Sequence, residues 1–462
     1  MMTLEQVKGF PVFYETDVLV VGGGPAGTAA GLAASRNGAQ TLIVEQFNCL
    51  GGVATAGGHG HISRFDENDT GRRIAGGIAH EIGQRIAQNG FGNYDSYGTW
   101  FEVEGLKLIL ERMAEESNVN LLYHTFFCDA VVEHGIVTGA VVQNKNGRRV
   151  IRAKRIIDCT GDGDAAFHAG CPNETGRPSD GKCQPVTLMF TMGGVDWKRV
   201  EKYREEYRKK YPDDKNPWKL ERVYAEAAAK GDMRPFQTGN MGWWWTPTRP
   251  DQVGVNFTHI IHIDSTRAED LTRATIEGRK QAFETIEVYK KYIPGMAHCH
   301  MVSTPCTIGV RESRRIMGDY VLTEDDIKNQ REFEDGICYS SFFVDIHRID
   351  GPGMDPTTWN PPKGFKYQIP YRSLIPREAE NILTAGRCVS CTHIALGSIR
   401  VMVPCMGMGE AAGTAAALSL KYNASPRVLD ISELKKQLCT QGCILSEEDI
   451  VKAEQDRKRR KL

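Results

Sequence analysis

What this chain lacks narrows its class before any motif is read. It has no uninterrupted apolar run of about 18 residues or more, the length a membrane-crossing helix needs. Its N-terminus has no basic segment leading into an apolar one, so export by the usual signal is not expected. Neither sign of charge is in excess: 57 Lys and Arg stand against 58 Asp and Glu, a formal net charge of −1. That excludes a general attraction to nucleic acid or to an anionic membrane. The basic run Arg457, Lys458, Arg459, Arg460, Lys461 reads as a solvated terminus. Repeats and low-complexity segments are missing too. No histidine and cysteine set has the paired spacing of a zinc site. His298-Cys299-His300 with Cys306 comes nearest, and no metal is expected. The thirteen cysteines are scattered and odd in number, which suits reduced thiols in a cytoplasmic protein.

The stretch from Asp17 to Gly52 is what the rest is arranged around. Val18 to Val21 is a short apolar run suited to a strand buried on both faces. Gly22, Gly24 and Gly27 follow as G-x-G-x-x-G, with Pro25 and Ala26 between them. The first glycine makes the tight bend, the second admits a pyrophosphate, and the third lets helix pack on strand. An alanine-rich helix runs from Thr28 to Arg36, and its free N–H groups and dipole face that pyrophosphate. Thr41 to Val44 is the second strand, and Glu45 at its end is placed to accept from a ribose, at about the 20-residue separation the motif requires. Gly51-Gly52 lets a second piece of backbone approach phosphate oxygens.

Further along, helices are expected to Gln88 and over Leu106–Asn118, and strands over Asn120–Phe127, Ala130–Gln143 and Val150–Ala153, with a turn at Asn146-Gly147. Another buried strand, Arg155–Cys159, ends at Thr160-Gly161-Asp162. From about residue 176 the pattern shifts to strands (Val186–Met192, Gly242–Pro247, Val253–Ile263) and amphipathic helices (Trp197–Tyr211, Ala268–Tyr292). Trp243, Trp244 and Trp245 suit core packing or a substrate platform. No second G-x-G-x-x-G of a separate NAD(P)H domain exists. A last apolar strand ends at Ala385-Gly386-Arg387, and Pro404–Leu420 is a helix dense with glycine and alanine.

These motifs together resemble the glutathione-reductase-type FAD fold. Ile308–Ile316, with Thr392-His393 through Gly397-Ser398-Ile399-Arg400, is similar to a broad bacterial group of FAD-dependent oxidoreductases, some labelled xanthan-lyase-like. The resemblance implies an α/β protein with a Rossmann FAD domain in two parts (1–175 and 371–425), an inserted mixed β/α substrate domain (176–370) and a helical tail (426–462). It implies FAD held by Gly22, Gly24, Pro25, Ala26, Gly27, Glu45, Gly51, Gly52, Thr160, Gly161, Asp162, Gly386, Arg387, Gly397, Ser398 and Arg400.

Chemistry next to a flavin calls for a proton acceptor and charge stabilisation. His59, His61 and His393 are the candidate bases, and Arg311 the candidate partner of an anionic or polyhydroxylated substrate. Arg314, Arg315 and Glu312 suit an ion-pair network, His347, Arg348, Tyr371 and Arg372 are further candidates, and Cys388-Val389-Ser390-Cys391 has dithiol spacing. The expected activity is oxidation of a small polar metabolite such as a sugar or hydroxy acid. The alternatives are reduction of an activated double bond and an electron-transfer subunit without its own substrate. The partners expected are a small-molecule substrate and an electron acceptor the sequence does not specify, with no nucleic acid or membrane; homo-oligomer formation is left open.

Overall fold

A computed structural model describes residues 1–214, 220–236 and 242–459. Its centre is the strand Val12–Val21, whose apolar half Val18–Val21 is shielded on both sides. Val18–Val21 pairs in parallel with Thr41–Val44 on one side and with Arg155–Asp158 on the other. Asn120–Leu122 extends the sheet beyond Thr41–Val44, and Ile382–Thr384 pairs with Ile156–Asp158.

The strand Gly147–Asp158 belongs to two arrangements at once. Its first half pairs antiparallel with Ile136–Asn144, which pairs in turn with Phe126–Glu133, while its second half runs in the parallel sheet. The result is one seven-stranded mixed sheet. Sequence pattern divides Gly147–Asp158 into two strands, because charged Arg152, Lys154 and Arg155 interrupt the apolar alternation; they sit at the exposed or half-buried edge of an unbroken strand. The opposite correction applies to Asn120–Phe127. It splits at His124, which has a left-handed φ of 52° that extended backbone cannot continue through.

The fingerprint helix, Pro25–Arg36, lies against the late helix Met402–Lys421. A Cβ on Gly413 would lie 2.1 Å from the Ala30 carbonyl oxygen, so the two backbones touch where side chains would normally separate them. This joins the two ends of the chain into one core.

A second core lies between Phe190 and Cys299. Strands Gly242–Thr246, Arg249–Asn256, Phe190–Gly193 and His300–Ser303, in that order, form an antiparallel sheet. Helices Trp197–Lys210, Glu221–Ala229 and Ala268–Tyr292 pack on it through Tyr207, Tyr224 and Tyr289. The separately cored part is narrower than the expected 176–370, because Leu322, Ile337, Phe365 and Tyr367 pack into the first core. Leu434 and Leu438, from the tail, do the same. Among the described residues, no single helix is long and apolar enough to cross a membrane.

Candidate functional site

A cavity of about 640 Å³ opens where the carboxyl ends of the parallel strands meet the second unit. That is the position where open α/β sheets bind ligands. On the sheet side it is lined by Gly22, Gly24, Pro25, Ala26, Glu45 and Gly52. Gly22 has φ of 96°, and a Cβ there would meet the Cys159 carbonyl oxygen at 2.5 Å. Gly27 stands behind the turn, where a Cβ would lie 1.8 Å from the Gly22 oxygen. Gly24 differs from both. Its φ is −64°, at the N-cap of Pro25–Arg36, and no protein atom lies within 4 Å of the Cβ it lacks. Packing does not require glycine there, and the open space leaves room for a ligand to approach the helix N-terminus closely.

Glu45 is buried beside this turn. Its carboxylate accepts from the N–H groups of Gly23 (2.6 Å) and Phe47 (2.9 Å). Burial raises its pKa and the backbone donors oppose that rise. Each oxygen has a lone pair left for a ribose hydroxyl. Gly51 lies behind the cavity wall, donating its N–H to the Gly23 oxygen at 2.8 Å, and Gly51 and Gly52 both have positive φ. Gly52 packs back on Gly24, so the two glycine turns form one surface.

Thr160, Gly161, Asp162, Gly386 and Arg387 complete this wall. Asp158, fully buried, anchors the loop by accepting from Thr160 and from the Ala166 N–H. Asp162 is paired with Arg387 at 2.7 Å and accepts from Ser313. Gly386 has φ of 95° and abuts Ala26. Arg400, Val401 and Met402 bring the start of the late helix to the same cavity. Segments some 360 residues apart in sequence therefore share one wall.

The other wall carries His59, His61, Thr187, Met189, Arg311 and Asp345. Burial, then His61 and Arg311 nearby, lowers the His59 pKa to about 3. Burial alone lowers His61 to about 4. Both rings are held: His59 lies 3.1 Å from the Met189 sulfur and 4.6 Å from the Trp244 ring, and His61 stacks on Trp100 at 4.6 Å. Trp244 is thus the member of the tryptophan triplet nearest the site. Arg311 donates through Nη1 to the Pro185 oxygen (2.8 Å) and to Thr187 Oγ1 (2.7 Å). Arg400 pairs with Asp345 at 3.0 Å.

Other predicted residues lie elsewhere. His393 is off the cavity wall, its Nδ1 2.8 Å from the buried Glu312 carboxylate, which also pairs with Arg315 at 2.5 Å. Gly397 packs on Asp345 backbone, and Ser398 bonds Tyr367 and the Phe342 oxygen. These residues brace the segment carrying Arg400 and Asp345. Tyr371 donates to the Pro426 oxygen, Arg372 pairs with Asp335, and Arg348 is exposed. Cys388 and Cys391 are fully buried and their thiols are pushed up by burial, Cys391 to about 12. Within Ile308–Ile316, Gly309 makes an isolated bridge to Thr187 and a strand forms only over Arg314–Ile316, while Arg311, Glu312 and Ser313 are drawn to three different partners. Among the described residues, no group of three or more His, Cys, Asp or Glu could hold a metal ion.

Sequence reading passed over Thr187, Met189, Asn256, Asp345 and Leu271, all on the cavity wall. Only Asp345 carried a signal, as the acidic neighbour of His347 and Arg348.

The strand, glycine turn, helix and acidic residue, closed by a late second helix, define a dinucleotide-binding α/β protein. The chain belongs to the FAD dependent oxidoreductase family, whose model matches residues 17–438. FAD is therefore its cofactor, and the open space at Gly24 fits it. Thiamine thiazole synthase of Aeropyrum pernix is 32% identical over 157 residues, 32% of this chain and 54% of that protein. Digeranylgeranylglycerophospholipid reductase 2 of Methanopyrus kandleri is 30% identical over 166 residues, 32% of this chain and 38% of that protein. The chain thus spans about half or less of the curated relatives it matches. Among solved structures, a geranylgeranyl bacteriochlorophyll reductase-like protein of Thermoplasma acidophilum covers 95% of this chain and 96% of its own, with 14% identity and a TM-score of 0.47.

Proposed function

We propose that this protein reduces an activated carbon–carbon double bond. FAD, once bound and reduced by a separate electron donor, would supply the hydride. The residues Gly22, Gly24, Glu45, Gly52, Thr160, Gly386 and Arg387 would hold it. The wall bearing His59, His61 and Arg311 would receive the substrate.

The observation that carries this reading is the Arg311 guanidinium, buried on that wall and bonded only to uncharged oxygens. Oxidising a sugar or hydroxy acid requires a side chain to take the hydroxyl proton. His59 and His61 resist protonation, with pKa values of about 3 and 4. Three lining carboxylates are engaged, Glu45 by two backbone N–H groups, Asp162 by Arg387 and Asp345 by Arg400, whereas Asp164, beside Arg314, has its pKa raised to about 7 by burial and by Asp162 and Asp158 and can carry a proton near neutrality. Adding hydride to a conjugated double bond instead leaves negative charge on the substrate, which a proton from water or from Asp164 would then discharge. The buried Arg311 guanidinium is placed to stabilise such charge in a low-dielectric site. The reductase among the curated relatives supports the same direction.

We further infer a glutathione-reductase-type arrangement and, within the family, the xanthan-lyase-labelled group. The double role of Gly147–Asp158 supports the first, and the Ile308–Ile316 and Thr392–Arg400 motifs support the second. A cytoplasmic location is supported by thirteen unpaired cysteines.

The test is a pair of anaerobic experiments. Reduced holoenzyme mixed with enoates and enones should be reoxidised. Oxidised holoenzyme mixed with sugars and hydroxy acids should stay oxidised. Rapid reduction by a hydroxy acid, with no enoate or enone reoxidising the reduced enzyme, would reverse the assignment.

A further inference from the structure

Around the cavity, arginines come with carboxylates. Arg387 pairs with Asp162, Arg400 with Asp345, Arg314 with Asp164, and Arg315 with Glu312. Arg311 breaks the pattern. It is 9% exposed, yet among the described residues no carboxylate lies within ion-pair distance of it. Its two hydrogen bonds both leave from Nη1, to the uncharged Pro185 and Thr187 oxygens. Nε and Nη2 have no protein acceptor among the described residues, and the side chain lines the cavity.

A buried cation without a counter-charge is costly, so proteins seldom keep one that serves only packing. Arg400 does not relieve it. Its charge is balanced by Asp345, whose field also reaches Arg311, but two guanidiniums share that one carboxylate. Burial, then Arg400, lowers the Arg311 pKa to about 9, with Asp345 opposing. His59 and His61 add no negative charge. The nearby lining residues Thr187, Asn256, Met189 and Phe342 are uncharged. One positive charge on this wall is therefore left for a ligand to meet.

We propose that the substrate carries a carboxylate, and that Arg311 binds it through Nε and Nη2. Two donors in a planar fork match the two oxygens of a carboxylate. This names the substrate class of the reducing site proposed above and rests on that reading for its place in the reaction, but binding itself needs no turnover.

The test uses oxidised holoenzyme and follows the flavin absorption spectrum at equilibrium. The probes are butyrate, crotonate and cinnamate, each against its primary amide. The acids should perturb the spectrum saturably and bind at least about tenfold more tightly than the amides, in keeping with a charge-assisted pair. Arg311→Gln should weaken the acids about 10- to 100-fold, to the level of the amides, with FAD content and melting temperature kept. Arg311→Lys should recover part of the loss. Equal binding of acids and amides, or no saturable binding of any acid, would overturn the proposal. So would an Arg311→Gln variant that loses FAD in step, because the guanidinium would then serve the cofactor. If Arg311→Gln does not fold, the acid–amide comparison on the wild-type protein decides. Because butyrate has no double bond, its binding can succeed where double-bond reduction fails, and the two claims stay separate.

Discussion

Gly409 lies so close to Ala26 that a Cβ on it would sit 2.0 Å from the Ala26 carbonyl oxygen. This contact locks the last long helix onto the first and brings Met402 to the cavity that Gly24 lines.

Glycine-to-alanine exchange in an exposed helix gains about 1 kcal/mol. Gly409→Ala should do the reverse and cost about 1–3 kcal/mol, because the helices must part to admit a methyl group. Denaturant unfolding measures it. A stabilised variant would mean the helices are not in contact.

Glu410, the next residue, is buried and accepts from the Ile78 N–H at 2.8 Å. Burial lifts its pKa to about 7. Between its unfolded value near 4.5 and that folded value, the native protein binds a proton the unfolded chain has lost. Its contribution to stability should therefore fall as pH rises from about 4.5 to 7 and level off above. Glu410→Gln should flatten that slope, seen in melting temperatures across this range, and be the more stable form at pH 8.

The C-x-x-C pair should be inert. Cys388 and Cys391 are fully buried and held as thiols, whereas Cys306 and Cys439 are exposed. Brief alkylation of the native protein followed by mass mapping should label Cys306 and Cys439 and spare the pair. Early labelling of Cys388 would reopen a dithiol role.

His59 and His61 should not titrate in the working range. With pKa values of about 3 and 4, they stay neutral from pH 5 to 8. The rate at which an enoate reoxidises the reduced enzyme should show no histidine inflection there. An inflection near 6.5 that disappears in His59→Gln would contradict the account.

The dinucleotide half of the site was legible because its chemistry is written in backbone. Gly22, Gly24, Gly27 and Glu45 are contiguous with the strand and helix that position them, so local pattern sufficed. The late helix was legible for the same reason, since only small residues permit the approach at Gly409 and Gly413. The substrate wall was not. Asn256 ends a strand of a separate antiparallel sheet, Thr187 and Met189 lie in the segment leading into its strand Phe190–Gly193, and nothing in their neighbours marks them as cavity-facing. His393 misled because closeness in sequence to Arg400 suggested a shared site. A short helix of about two turns, His393–Ile399, turns its ring toward Glu312 instead. Arg311 stood out as part of a charge cluster, but only the fold separates it from the paired arginines beside it.

The central claim is that Gly24 is glycine for the sake of the cofactor. With φ of −64° and open space at its Cβ, it can become aspartate without strain, and aspartate is a favoured N-cap. The decisive measurement is equilibrium FAD binding to wild type and Gly24→Asp, with unfolding followed in parallel. The account predicts one FAD per wild-type chain, and a Gly24→Asp protein that folds as stably but binds none. FAD bound by Gly24→Asp with undiminished affinity would contradict it.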